Sequence, residues 1–87
     1  MKDGDRLELV EWEDITSIDR WVSRAYVKAE EPLICLSVGW VIKETDAHLW
    51  LSCTKHMDTE GLVTNTFIIM KSVIIHRTLL RRVRLSG

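Results

Sequence analysis

The side chains of this 87-residue chain that could do chemistry are few and scattered. Cys53 and His56 form a C-x₂-H pair, to which Cys35 could be added, but a structural zinc site normally shows two paired ligand clusters. On a strand their odd spacing would send Cys53 and His56 to opposite faces. Asp58 and Glu60 have no partner pattern, and the sequence contains no Ser–His–Asp order and no glycine-rich phosphate loop. We therefore predict a protein that is not an enzyme and holds neither a metal ion nor a cofactor.

Charge is divided unevenly along the chain, although the formal net charge is only −1. All thirteen carboxylates lie at or before Glu60, whereas residues 61–87 carry five Lys or Arg and no acid. One interpretation is a basic arm that binds phosphate. The other is an acidic first strand that pairs with a basic last strand, because opposite charges across strands are mildly favourable.

The elements that must position these side chains are mostly strands. Residues 6–15 alternate between apolar and polar positions, which predicts a half-exposed strand. Residues 19–30 carry apolar side chains at helical spacing, so we expect a helix there, capped by Ser17 or Asp19 and ended by Pro32. Four further strands follow, the first with Gly39 inside it, where a bend or a close backbone approach is expected.

This order predicts a single domain over residues 1–87, mainly β, with one amphipathic helix after the first strand. Five short, strongly bent antiparallel strands close naturally into a small barrel, with the tail 81–87 extending the last strand or fraying. Leu49 and Leu51 flank Trp50 in the third strand. If the leucines face inward, Trp50 faces outward, where it would meet a neighbouring subunit or pack under the helix.

Two stretches resemble the signatures of Sm-like proteins, the LSm and Hfq family. The last two strands flank a break at Lys71-Ser72, similar to the family's apolar–basic–small turn. The stretch GWVIKETDAHLWL is similar to the first signature, with Gly39, Asp46 and His48 in its key positions. The resemblance spans residues 36–80, and the layout as a whole looks most like the small Sm/SH3-like barrels encoded by phages and prophages.

The resemblance implies both a fold and a function. It implies that strands four and five meet at a sharp corner, where a small residue avoids a clash and a turn of 3₁₀ helix bridges the strands. It also implies a ring whose pore-facing site binds RNA or single-stranded nucleic acid through Asp46, His48, Lys71 and Ser72. We further expect a basic face made of Arg81, Arg82 and Arg84.

The resemblance also implies assembly, because Sm-like barrels pair strands four and five between neighbouring copies and so close into a ring. The stretch TFIIMK is too apolar for a free edge strand, which agrees with such pairing, so we predict a cyclic homo-oligomer of five to seven copies. The alternative is a phage-type structural or protein-interaction module that keeps the barrel for assembly and does not bind nucleic acid.

The expected location is the cytoplasm, which would be that of a bacterial host if the chain is of phage origin. The opening residues MKDGDRLELV are charged and lack an apolar signal core, and no apolar run approaches 18 residues. Two cysteines suit buried thiols in a reducing compartment better than a disulfide framework.

Overall fold

The computed structural model describes residues 5–15, 17–56 and 61–83. It contains five strands, one α-helix and one 3₁₀ turn, in the order that the sequence predicts. The elements are β1 (Asp5–Asp14), α1 (Arg24–Ala29), β2 (Leu33–Glu44), β3 (His48–Lys55), β4 (Val63–Met70), the 3₁₀ turn (Lys71–Val73) and β5 (Ile74–Val83).

All five strands belong to one antiparallel sheet, which confirms that part of the prediction. The strand order is β4-β3-β2-β1-β5. The long strand β2 pairs with two other strands, with β1 through residues 33–40 and with β3 through residues 40–44. β4 and β5 form the two edges. The sheet is not closed between them across the residues that the structure describes, so the predicted barrel is not confirmed.

The core is small and lies on one face of the sheet. Val10, Leu49 and Leu51 are fully buried, with Ile69 beside them. Leu49 and Leu51 therefore face inward, and Trp50 between them is only half-buried, as the alternation of β3 predicts. A Cβ at Gly39 would lie 3.1 Å from the Leu51 Cβ and 3.1 Å from the Ser52 carbonyl oxygen. The expected close approach at Gly39 is confirmed.

The helix is much shorter than predicted, and its cap is a different residue. It spans six residues, Arg24–Ala29, and the Ser23 hydroxyl accepts a hydrogen bond from the Tyr26 amide at 3.0 Å. The prediction of residues 19–30 with a cap at Ser17 or Asp19 was wrong. The helix buries none of its residues, so the apolar stripe lacks the packing that normally sustains a longer helix.

The molecule is elongated. Its radius of gyration is 16.8 Å, with extents of 60 × 21 × 20 Å, whereas a compact chain of this length would have a radius of about 12 Å. The β1–β2 ladder continues to the pair Asp14–Leu33, and the described residues between these two strands, 15 and 17–32, are here called the arm. Within the described parts of the chain, no helix is long and apolar enough to cross a membrane.

Candidate functional site

The corner between β4 and β5 brings the predicted site residues together. The Lys71 amide donates to the Ala47 carbonyl at 2.8 Å, which joins the 3₁₀ turn to the β2–β3 turn. His48 is also the ladder partner of Met70, the residue before Lys71. Asp46 and His48 on one side, and Lys71 and Ser72 on the other, therefore occupy one corner of the molecule. The 3₁₀ turn itself spans Lys71–Val73, as the resemblance implies.

The β2–β3 turn is held by its own threonine. The Thr45 amide donates to the His48 carbonyl at 2.9 Å. The Thr45 hydroxyl accepts from the amides of Ala47, at 3.3 Å, and His48, at 3.1 Å. Such side-chain bonds to the backbone replace the ladder where the chain reverses. They fix the direction in which Asp46 and His48 leave the turn.

Lys71 is engaged in an ion pair. Its Nζ lies 2.6 Å from Oε2 of Glu44, the last residue of β2. Glu44 also accepts from the Arg77 guanidinium at 2.8 and 3.1 Å and from Arg6 at 3.1 Å. Hydrogen bonds from Arg77 and then Lys71 hold the pKa of Glu44 well below its usual range; desolvation opposes them, and the Arg6 hydrogen bond lowers the pKa by a smaller amount. Glu44 therefore stays ionised.

A second carboxylate lies deeper. The side chain of Glu8 in β1 is 5% exposed, and Arg77 donates to both of its oxygens, from Nε at 2.7 Å and from Nη2 at 3.0 Å. Arg6 lies 3.6 Å away on the other side. Hydrogen bonds to Glu44 and then Glu8 raise the pKa of Arg77. This confirms that the acidic first strand and the basic last strand pair with each other.

We call these five residues the charge cluster: Arg6, Glu8, Glu44, Lys71 and Arg77. Three cations face two carboxylates, so the cluster carries one surplus positive charge. Sequence reasoning found only Lys71. Glu8 could have indicated the cluster, because it shares the inward face of β1 with Val10. A carboxylate buried on that face needs a cationic partner.

The arginines expected to form a basic face lie elsewhere. Arg81 and Arg82, near the end of β5, are exposed and pair with Leu7 and Arg6 across the β1 ladder. Because they are consecutive in a strand, their side chains leave opposite faces of the sheet, and they do not form a single basic face. Arg84 lies outside the described residues.

Aromatic and basic side chains also contact one another along β2 and β3. The Lys43 ammonium lies 4.7 Å from the centre of the Trp50 ring, and the Lys55 ammonium lies 5.0 Å from that of Trp40. His48 is tilted against Trp50, with 5.8 Å between ring centres. His48 therefore lies between the corner and these aromatic side chains, and each tryptophan already has a cation over its ring.

The charge cluster gives the corner one surplus positive charge, and the amides of Ala47, His48 and Lys71 are already hydrogen-bonded within the two turns. Within the described ranges, no group of three or more His, Cys, Asp or Glu side chains is placed to hold a metal ion. Comparisons of this chain with protein-family models, with curated proteins and with solved structures found no match.

Proposed function

We propose that the protein is a non-catalytic, Sm-like ring-forming subunit whose small barrel is completed by assembly, and whose corner binds single-stranded RNA. The observation that carries the proposal is the place of β4 and β5. They are adjacent in the chain, meet at a 3₁₀ corner and yet occupy opposite edges of the sheet. An antiparallel β4 edge of one copy against the β5 edge of the next would pair both edges, and such a head-to-tail contact closes into a ring.

The side chains on β4 favour the same arrangement. Phe67, Ile68 and Met70 are all exposed, and Ile68 has 61% of its surface open to solvent. A free edge that presents large apolar side chains invites aggregation unless another strand covers it. Pairing between copies covers these side chains and gives hydrogen-bond partners to the backbone N–H and C=O groups of the β4 edge.

The ring is tested by light scattering and native mass spectrometry. We expect a species of about 50 to 70 kDa, which is five to seven copies of a 10.1 kDa chain. Ile68→Lys places a charge on the β4 edge and should abolish this ring-sized species. Ile42→Lys is the matched control, since Ile42 is 46% exposed but lies in the interior strand β2. A wild-type protein that runs as a 10 kDa monomer would refute the ring.

RNA binding is tested with labelled oligo(U) and oligo(A) at two salt concentrations. Phosphate-driven affinity should fall steeply as salt rises. Lys71→Ala should weaken binding to both oligonucleotides and lower the salt slope by about 1, while the exposed Lys28→Ala in the helix should leave both unchanged. Failure to bind at low salt would exclude the RNA part of the proposal.

One observation favours the second candidate, a protein-interaction module without nucleic-acid binding. The Lys71 ammonium already pairs with the Glu44 carboxylate at 2.6 Å, so phosphate must compete with a carboxylate for it. Rings that assemble normally but bind neither oligonucleotide at low salt would support this candidate over the first.

A further inference from the structure

The arm carries apolar side chains that contact little of its own chain. Trp21 is fully exposed, at 102% of its reference surface, and Ile18, Tyr26 and Val27 are exposed as well. A lone exposed tryptophan is unusual for a folded domain, because indole buries more apolar area than other side chains. The arm therefore presents an apolar group of the kind that anchors protein interfaces.

The arm is ordered locally although it is not packed on the sheet. Ser23 caps the helix, and the Arg20 guanidinium donates to the Tyr26 hydroxyl at 2.9 Å while lying 5.1 Å from the centre of that ring. These contacts involve Arg20 before Trp21 and Ser23 and Tyr26 after it, so they hold the backbone on both sides of Trp21. A group held in this way loses less conformational entropy when it docks.

A groove on the inner face of the sheet offers a complementary surface. It encloses about 170 Å³ and lies between the end of β1 and β4. Most of its lining is apolar, including Trp12, Phe67, Ile68, Ile69 and Val73, and Glu13 and Asp14 line it as well. Arg20 and Arg24 flank Trp21 on the arm, whose three cations and three carboxylates balance overall.

The exposed area indicates how much surface association must cover. The chain exposes 6919 Å², whereas a compact monomer of 10.1 kDa would expose about 5,300 Å². The excess, about 1,600 Å², is what one chain buries when it makes two standard interfaces of about 800 Å² on each partner. A head-to-tail arrangement gives each copy two interfaces, one as donor and one as acceptor.

We propose that the arm of one copy docks in the groove of a second copy, with Trp21 as the apolar anchor and Arg20 and Arg24 against Glu13 and Asp14. The occupant is another copy of this chain because the same molecule supplies both the excess area and the matched charges. We call this docking arm exchange. It differs from pairing of the β4 and β5 edges because it places the Trp21 side chain in the groove of another copy. It also links copies whether or not β4 and β5 pair.

Disulfide trapping tests the exchange directly. In a background with Cys35→Ser and Cys53→Ser, chains carrying Trp21→Cys are mixed with differently tagged chains carrying Phe67→Cys and oxidised mildly. We expect a mixed disulfide-linked dimer, and none when Ile42→Cys, on β2, replaces Phe67→Cys. Absence of the mixed dimer overturns the proposal. So does an intramolecular disulfide in the dilute Trp21→Cys/Phe67→Cys double variant, since the arm would then fold onto its own groove.

A second measurement separates docking from folding. Trp21→Ala should raise the dissociation constant for self-association by about 30-fold, as expected for a central tryptophan anchor. The unfolding midpoint of the dilute monomer should not change, because Trp21 is fully exposed there. Unchanged self-association would overturn arm exchange.

The two proposals fail separately. Ile75→Lys changes the β5 edge at an exposed residue that does not line the groove, so it should abolish the ring and leave the Trp21–Phe67 cross-link in place. Rings that form without the cross-link would retain the proposed function and exclude arm exchange.

Discussion

Replacement of Arg77 by methionine tests the charge cluster, because Arg77 serves both of its carboxylates. Glu8 has a side chain that is 5% exposed and receives two hydrogen bonds from Arg77. Removing one partner of a buried ion pair costs about 3–5 kcal/mol, since the other charge is left desolvated. Arg77 itself is 26% exposed and Arg6 remains 3.6 Å from Glu8. We therefore expect the low end of that range, about 3 kcal/mol.

The measurement is urea unfolding followed by tryptophan fluorescence at neutral pH. All variants must be compared at one protein concentration, because self-association adds to apparent stability. The control is the double variant Glu8→Leu/Arg77→Met, which removes both buried charges and should lie within about 1 kcal/mol of the wild type. Glu44 keeps Lys71 and Arg6 in both variants. A loss below about 1 kcal/mol in Arg77→Met, or a double variant as unstable as the single one, would contradict the reasoning.

Three further predictions concern single positions. Gly39→Ala should destabilise the fold by about 1–2 kcal/mol in the same urea assay, because its Cβ would press at 3.1 Å on buried Leu51 and on the Ser52 backbone. The pKa of Glu44 is lowered in the folded state, so the stability that its ion pairs contribute is full above the ordinary glutamate pKa and is lost as pH falls below it. Glu44→Gln should therefore flatten the fall in unfolding free energy below about pH 4.3. An unchanged dependence of stability on pH in this range would count against the ion pairs. Ser23→Ala removes the helix cap at a local cost of about 1 kcal/mol, so it should speed hydrogen exchange at the Tyr26 amide while leaving the unfolding midpoint unchanged.

The strands were predictable because their alternation is local. Val10, Leu49 and Leu51 follow a period of two, and burial on one face of a sheet produces that period directly. The 3₁₀ corner was implied by the resemblance that the break at Lys71-Ser72 carries, and the structure has it at Lys71–Val73. The helix was overestimated because a helical stripe predicts length only when a surface is available to pack on it, and the arm has none in this chain.

The charge cluster could not be predicted because its members meet only through register. A shift in the β2–β3 ladder between Val41 and Lys43 changes which way Glu44 points. In the β1–β5 ladder, Glu8 and Arg77 lie in a short regular stretch between two register shifts, with Glu8 opposite Leu79 and Arg77 opposite Val10. One-residue slips of this kind turn side chains to the other face, and nothing in the local sequence marks them. From the sequence alone, Glu44 and Arg77 therefore cannot be distinguished from ordinary surface charges, because their contact depends on how the strands pair.

The β4 edge has a feature that bears on how copies could meet. Asn65 has a φ of 54°, in the left-handed region that asparagine tolerates better than most residues, and the β3–β4 ladder pairs Thr64 and Thr66 but omits Asn65. Pairing with β3 keeps its register on both sides of Asn65, as far as Lys55–Val63, so Asn65 is a local irregularity of the edge. Phe67, Ile68 and Met70 lie between Asn65 and the corner, so the apolar part of the edge is five residues long, 66–70. Interrupted edges resist open-ended strand addition. A five-residue edge can still pair with one strand of matching length from another copy. A closed ring needs only such a limited contact at each edge.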